Sequence, residues 1–347
     1  MHIEQNKPLA PLTTLGVGGP AHYFCEVRSE EDLVEAINWA QERNLPVFIL
    51  GGGSNLVIAD KGFSGLILRI ALSGIKTVPK NDSTPLLLQA AAGENWDAFV
   101  QYVVEANCAG IECLAGIPGT VGGTPVQNVG AYGQEVSTVI SSVRVFDLKE
   151  QTFAEFSAAE CEFAYRRSRF NSTDKGRYIV TRVDFRLECN AAPVLKYADL
   201  QRTFPSNASP TLEEVAQAVR SIRQSKGMLL VEGDPDCRSA GSFFKNPIVP
   251  VENLEAIAQA AGKEPPQFLA NDAAHIKIPA AWLIEQSGIA KGYTRGAAGV
   301  SSRHTLALVN RGNATAAEIL ALAEEIRGKV QNKFGVQLEM EPVLVGF

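Results

Sequence analysis

The sequence lacks the marks of a nucleic-acid-binding, membrane-spanning or metal-dependent protein. Lys and Arg number 32 against 38 Asp and Glu, a net charge of −6. That leaves no surplus of positive charge for the phosphate neutralisation that dominates nucleic-acid binding, and no nucleic-acid partner is expected. No uncharged apolar run approaches the roughly 18 residues a helix needs to cross a bilayer. The start, Met1-His2-Ile3-Glu4, lacks the basic and apolar stretch of a secretory signal. A soluble, cytoplasmic chain without membrane insertion is expected. Histidine is scarce: His2, His22, His275 and His304 are the four, none spaced i, i+4. The six cysteines Cys25, Cys108, Cys113, Cys161, Cys189 and Cys237 form no C-x-x-C pair. No metal is expected, and the cysteines read as buried free thiols. None of this excludes a small polyanion, because a few Arg and Lys side chains in one pocket can hold phosphates whatever the overall charge.

At 347 residues and 46% hydrophobic, the chain is too long for one compact core, and two or three domains are expected. The pair Ser29 and Asp32 resembles a capping box. Leu33, Val34, Ile37 and Ala40 then share a helical face that stops at Asn44-Leu45-Pro46. Val47 to Leu50 is short and continuously apolar, as a strand buried on both faces would be. A second helix is predicted from Asn95, carrying Phe99, Val103 and Val104 inward. From Tyr178 to Leu187 the odd positions Ile179, Thr181, Val183, Phe185 and Leu187 alternate with Arg182, Asp184 and Arg186, the period of a strand. A helix over 211–224 precedes a domain boundary. Thr315 with Glu318 opens another helix, with Ile319, Leu322, Ile326 and Val330 on one face and Gly335 as its stop.

Two glycine-rich stretches carry the chemistry. Gly51, Gly52, Gly53, Ser54 and Asn55 follow the apolar run directly. Their backbone N–H groups could cradle a pyrophosphate, or they could be an ordinary turn. The apolar Leu56-Val57-Ile58-Ala59 that follows is strand-like, which excludes the helix-opening Rossmann fingerprint, and no G-x-x-x-x-G-K-[ST] occurs. The second stretch, Gly110 to Gly133, holds seven glycines and two prolines in 24 residues. Irregular segments of that length inside a domain are usually functional.

The wording of the second stretch, Ile117-Pro118-Gly119-Thr120-Val121-Gly122-Gly123 and then Asn128-Val129-Gly130-Ala131-Tyr132-Gly133, resembles the p-cresol methylhydroxylase and vanillyl-alcohol oxidase superfamily of flavoproteins. Within that superfamily it resembles the UDP-N-acetylenolpyruvoylglucosamine reductase family. Three more segments carry the likeness to the end of the chain: Phe163-Ala164-Tyr165-Arg166, Ala240 to Pro247 (A-G-S-F-F-K-N-P), and Leu338-Glu339-Met340-Glu341, where Met340 stands at the family's proline.

The resemblance implies an α+β fold. An FAD-binding domain in two subdomains would span 1–225, divided near 70–80. A smaller α+β substrate-binding domain would span 226–335, and a C-terminal strand, 336–347, would carry a catalytic carboxylate. It further implies non-covalent FAD, NADPH as co-substrate, a UDP-sugar substrate, a monomer, and a place in peptidoglycan precursor synthesis. FAD would be held by Gly51, Gly52, Gly53, Ser54, Asn55, Ile117, Pro118, Gly119, Gly123, Asn128 and Gly133.

Reducing an enolpyruvyl ether places negative charge on a carboxylate-conjugated enol, so a cation must stabilise that charge and an acid must quench it. The resemblance assigns the first task to Arg166, a fixed planar cation, and the proton to Ser242. Serine is a poor acid in water, so neighbours such as Lys245 or a water are required. Glu341 is the implied catalytic carboxylate, acting protonated or as an acceptor that orients the acid, with Glu339 its competitor. Arg167 and Arg169 keep the reading of surface arginines. Tyr197 matches a loop that closes over substrate, and Arg223, Lys226, Asn246 and His304 match substrate-binding positions, although Lys226 reads equally well as a lysine ending a helix. Arg166, Arg223, Lys226 and Lys245 are expected to form a local basic pocket. Two rivals remain. One is a flavin oxidase acting on an alcohol with O₂, whose covalent flavin would need His22, Cys108 or Cys113. The other is a non-redox protein that binds a nucleotide sugar.

Overall fold

Helices form where a cap and an apolar stripe coincide. In the computed structural model, which describes residues 1–78, 86–270 and 272–347, Ser29 Oγ accepts the Asp32 N–H at 3.1 Å and caps Glu30–Glu42. That helix buries Leu33, Ala36, Ile37 and Ala40. Asn95 caps Trp96–Glu105 in the same way, and Trp96, Phe99 and Val103 turn inward. Ala316–Phe334 opens on the reciprocal Thr315–Glu318 box and ends at Gly335, whose φ of +67° suits glycine.

The chain divides into two compact units. The first comprises Met1–Lys7, Ala21–Gly52 and Ser64–Arg223; the second comprises Pro8–Pro20, Gly53–Phe63 and Gln224–Phe347. This corrects the expected contiguous division at 225: the pieces 8–20 and 53–63 fold with the C-terminal part. The cause is a long-range pairing, since Leu56–Ile58 runs parallel to Val343–Val345 and no local pattern announces it.

The first unit holds a four-stranded sheet ordered Ile3–Pro8, Pro20–Val27, Phe63–Ile70, Val47–Leu50. A second sheet runs Thr152–Ser157, Ile140–Asp147, Tyr178–Cys189, Leu86–Ala91, Ile75–Thr77. Val47–Leu50 is a strand, but it lies at the sheet edge, so Val47, Phe48 and Ile49 are only half-buried rather than covered on both faces. In Tyr178–Cys189 the predicted residues Ile179, Thr181, Val183, Phe185 and Leu187 are buried. One hydrophobic cluster includes Leu66 and Leu68 from the first sheet and Val143, Val183 and Phe185 from the second. The division expected near 70–80 therefore does not separate two cores, and its end, residues 79 and 80, lies outside the described residues.

The thiol expectation also needs correction. Cys108–Ala109 pairs antiparallel with the end of Tyr178–Cys189, with Cys108 opposite Cys189, and the two form a disulfide. Separated by 81 positions, they meet only through the ladder. Cys25, Cys113, Cys161 and Cys237 are free and buried.

The second unit contains a sheet ordered Ser239–Ser242, Ala307–Asn310, Ala298–Val300, Thr294–Arg295, and a smaller one ordered Ile248–Pro250, His275–Lys277, Phe268–Leu269. Its core joins Phe243, Phe244, Leu283, Val300, Leu308, Ile319 and Leu322 to Leu15, Val17 and Val57. Among the described residues, no helix is long and apolar enough to cross a membrane.

Candidate active site

Within the first unit the two glycine-rich stretches touch backbone to backbone. A Cβ added at Gly52 would lie 2.5 Å from Gly119 Cα, and one at Gly51 would lie 3.0 Å from Thr120 Oγ1. Gly119 itself has a φ of +140°, so glycine is required on both sides of the contact. In the second unit, Thr14 N–H donates to Gly53 O at 3.1 Å, and its single hydroxyl hydrogen goes to Ser239 O at 2.6 Å. In a trans peptide the N–H points opposite to the carbonyl. The N–H of Ser54 is therefore turned away from Thr14, as a backbone anion site requires.

A clamp from two helices holds the two peptide groups that flank the Gly116 Cα. Asp97 Oδ1 accepts the Gly116 N–H at 2.6 Å, and Asp97 is itself gripped by both Nη atoms of Arg220, at 2.6 and 2.7 Å. Arg223 Nε donates to Gly116 O at 3.0 Å. Arg223 is buried, and burial lowers its pKa, against the pull of Tyr132 and Asp97. The structure thus ties Arg223, expected at the substrate, to the glycine-rich segment. Sequence reasoning missed Asp97 and Arg220. They sit 123 positions apart, and neither lies in a recognisable motif.

Arg166 occupies a tight reversal in which Ala164 and Arg167 exchange hydrogen bonds at 2.9 and 3.0 Å. Its φ of +55° is in the left-handed region, which costs a non-glycine residue roughly 1–2 kcal/mol and persists only where the surroundings enforce it. The enforcement is visible: Asn171 Nδ2 donates to Arg166 O at 3.1 Å, and Asn128 Nδ2 donates to Ala164 O at 3.0 Å. Asn128 also donates to Glu135 at 2.9 Å and accepts Ser137 N–H at 3.2 Å. Both amide hydrogens and the carbonyl are already engaged, so the side chain shapes the turn that presents Arg166. Arg169 stacks on Phe156 at 4.0 Å and pairs with Asp174, and Arg167 is exposed.

Tyr197 immediately precedes the helix Ala198–Thr203 and packs edge-on against Tyr132, with ring centroids 5.3 Å apart. A Cβ at Gly133 would meet Lys196 Cβ at 3.0 Å. The Tyr197 segment therefore rests on the end of the second glycine-rich stretch.

In the second unit, Ser242 ends the strand Ser239–Ser242 and follows Gly241, whose φ is +71°. The C-terminal tail runs alongside: Phe244 bridges Met340 antiparallel, Glu341 N–H donates to Phe243 O at 2.9 Å, and Asn55 Nδ2 donates to Glu341 O at 3.3 Å. Glu339 is exposed, and its carboxylate lies 2.5 Å from Lys245 Nζ. Lys245 is thus engaged by an acid instead of standing as an uncompensated cation in a basic pocket. Asn246 Oδ1 accepts the Ala280 N–H at 2.9 Å and so caps Ala280–Gln286. His304 Nδ1 accepts the Leu306 N–H at 3.1 Å, which places the ring proton on Nε2. Burial, followed by repulsion from Lys226 and Lys291, pushes the His304 pKa down to about 4. Lys226 and Lys291 therefore both lie within electrostatic reach of the His304 ring. Lys291 was missed because a lone exposed lysine carries no sequence signal.

Family models match in two places: "FAD binding domain" over residues 21–153 and "UDP-N-acetylenolpyruvoylglucosamine reductase, C-terminal domain" over residues 234–345. A UDP-N-acetylenolpyruvoylglucosamine reductase of Thermobifida fusca is 44% identical, across 99% of this chain and 98% of its own length. The chain belongs to the UDP-N-acetylenolpyruvoylglucosamine reductase family. Another member of this reductase family, from Streptomyces coelicolor, is 46% identical over 98% of this chain and 90% of its own. A solved structure of the reductase from Thermus caldophilus superimposes with a TM-score of 0.66 at 27% identity, covering 99% of both chains. As a family member this chain carries an FAD-binding domain, and glycine at 52 is what lets its two glycine-rich stretches meet backbone to backbone. The oxidase alternative does not survive. The relatives are reductases, Cys108 is tied up in a disulfide, and burial pushes the Cys113 thiol up to about 12.

Proposed function

We propose that this chain reduces UDP-N-acetylglucosamine enolpyruvate to UDP-N-acetylmuramate with NADPH, a step of peptidoglycan precursor synthesis. The observation that carries the reading is the pairing of the tail with the strand of Ser242, which brings a hydroxyl and a carboxylate onto neighbouring backbone segments.

The backbone at Gly51, Gly52, Gly53, Ser54 and Asn55, with Ile117, Pro118, Gly119, Gly123 and Gly133, would hold FAD. When bound, FAD supplies the two-electron transfer from NADPH to the enolpyruvyl methylene. Arg166 binds the substrate carboxylate and stabilises the charge that develops there. The Ser242 hydroxyl delivers a proton to the carbon next to that carboxylate, and Glu341 orients the hydroxyl. Lys226, Lys291 and neutral His304 form a cationic cluster suited to a diphosphate, with the Nε2–H of His304 as a donor. Tyr197 closes over the substrate, and Asn246 contributes its remaining amide hydrogens.

The test is direct. Purified protein carries a flavin that is released on denaturation, NADPH bleaches it, and the enolpyruvyl substrate restores its colour with one equivalent of UDP-N-acetylmuramate formed. A colourless protein, or a flavin that stays attached after denaturation, rejects the reading.

A further inference from the structure

The loops that bear Lys226, His304 and Ser242 meet at one ion pair, Asp236 with Arg303, and we infer that this pair is a positioning device for the diphosphate-binding residues. The inference rests on the functional reading above.

Asp236 is buried, with Arg303 Nε at 3.1 Å from its carboxylate. The same carboxylate accepts the Ser302 N–H at 3.1 and 3.2 Å and the Ser302 hydroxyl at 2.6 Å. A buried carboxylate is costly unless its lone pairs are filled. Burial does work to raise the Asp236 pKa, but the bonds from Ser302 and Arg303 outweigh it and hold the group below its usual range. Three segments are joined in this way. Arg303 and Ser302 immediately precede His304. Arg303 Nη1 donates to Gln224 O at 2.9 Å, two residues before Lys226. A Cβ on Gly227, beside Lys226, would lie 3.1 Å from both Arg303 Nε and Asp236 Cβ, so the Lys226–Gly227 turn rests on the pair itself. Asp234, a second partner of Arg303, and Asp236 together fix the approach to the strand that begins at Ser239 and ends at Ser242.

Neither Asp236 nor Arg303 needs to touch the substrate. The pair sets where the Lys226 ammonium and the His304 ring sit, and the loop of Ser301 to His304 has no other buried acid holding it among the described residues. Breaking a hydrogen-bonded buried charge pair loosens whatever it anchors.

The experiment compares wild type, Asp236→Asn and Ser302→Ala, each crossed with His304→Ala. It reads the Kd for UDP-N-acetylmuramate by calorimetry, KM and kcat for the enolpyruvyl substrate, flavin content and Tm. Asp236→Asn is expected to raise Kd and KM about tenfold, with kcat at saturation within about threefold of wild type and full flavin content. In the His304→Ala background its effect shrinks to the share that acts through Lys226, about threefold, because the share that acts through His304 is already lost. Ser302→Ala keeps the carboxylate and removes one hydrogen bond, and it shows the same pattern at smaller size. It decides the matter if Asp236→Asn does not fold. Wild-type Kd and KM in the variants that fold, or penalties that multiply independently with His304→Ala, overturn the positioning role. A wild-type protein that fails to bind UDP-N-acetylmuramate rejects the functional reading instead, and the positioning role falls with it.

Discussion

Glu341 donates its backbone N–H to the carbonyl of Phe243, the residue after Ser242, at 2.9 Å. The final residues of the chain are thereby stitched to the strand that holds the proposed proton donor. The same ladder sets Lys245 against Glu339, whereas Glu341, two positions on, is the carboxylate proposed to orient the donor.

The first prediction separates those tasks. Glu341→Gln is expected to lower kcat by about 100-fold or more, as the loss of a group acting on proton transfer does. Glu339→Gln is expected to leave kcat within about twofold, because an exposed ion pair contributes about 1 kcal/mol at most. Steady-state kinetics of both variants check this, and comparable losses would move the carboxylate role off Glu341.

Ser242→Ala addresses the proton itself. Stopped-flow absorbance is expected to show flavin reduction by NADPH at the wild-type rate, with reoxidation by the enolpyruvyl substrate slowed by about 100-fold or more. Wild-type rates in both half-reactions would remove Ser242 from the role of acid.

Much of the local architecture was legible, because caps and stripes act over a few residues. The Thr315–Glu318 box, the Asn95 cap and the alternation in Tyr178–Cys189 are local and came through. What stayed hidden depends on pairings far apart in sequence. The strand Leu56–Ile58 belongs with Val343–Val345; Cys108 meets Cys189 only through a two-residue ladder; Val47–Leu50 is at an edge because, among the described residues, no strand pairs with its outer side. The site divides along the same line. Glycine runs and the Ser242 and Glu341 segments announce themselves by composition or wording. Asp97, Arg220 and the Asp236–Arg303 pair do their work from helix ends and loops with no pattern of their own. The place of Asn128 in the glycine-rich stretch is visible in the sequence, whereas the three hydrogen bonds of its side chain are not.

His304 gives a pH prediction whose sign follows from its depressed pKa, about 4 in the fold against an ordinary 6.5. The unfolded chain takes up a proton on this ring as pH falls below 6.5, while the folded protein does not until about 4. Stability from this group is therefore complete above pH 6.5 and is lost progressively between 6.5 and 4. At pH 5 the loss amounts to roughly 2 kcal/mol. Denaturant unfolding at pH 7.5 and pH 5 is expected to show wild type losing more stability on acidification than His304→Gln by about that amount. Equal losses would mean the ring is not held neutral.

Arg223 admits a test that separates holding the flavin segment from holding substrate. Its Nε is bound to Gly116 O, and the opposite face of that residue is bound to Asp97, which Arg220 grips. If the clamp sets the shape of the second glycine-rich stretch, Arg223→Gln leaves the Gly116 carbonyl short of its partner. FAD binding should then weaken about tenfold, the size of one lost charged hydrogen bond. KM for the UDP substrate, measured with FAD in excess, should stay within about twofold. Asp97→Asn should move the same two quantities in the same direction, because it acts on the other half of the same peptide clamp and strands Arg220. A raised KM with unchanged FAD affinity in Arg223→Gln would instead place its guanidinium on the substrate. Fluorescence titration of the apoprotein with FAD, beside steady-state kinetics, distinguishes the two.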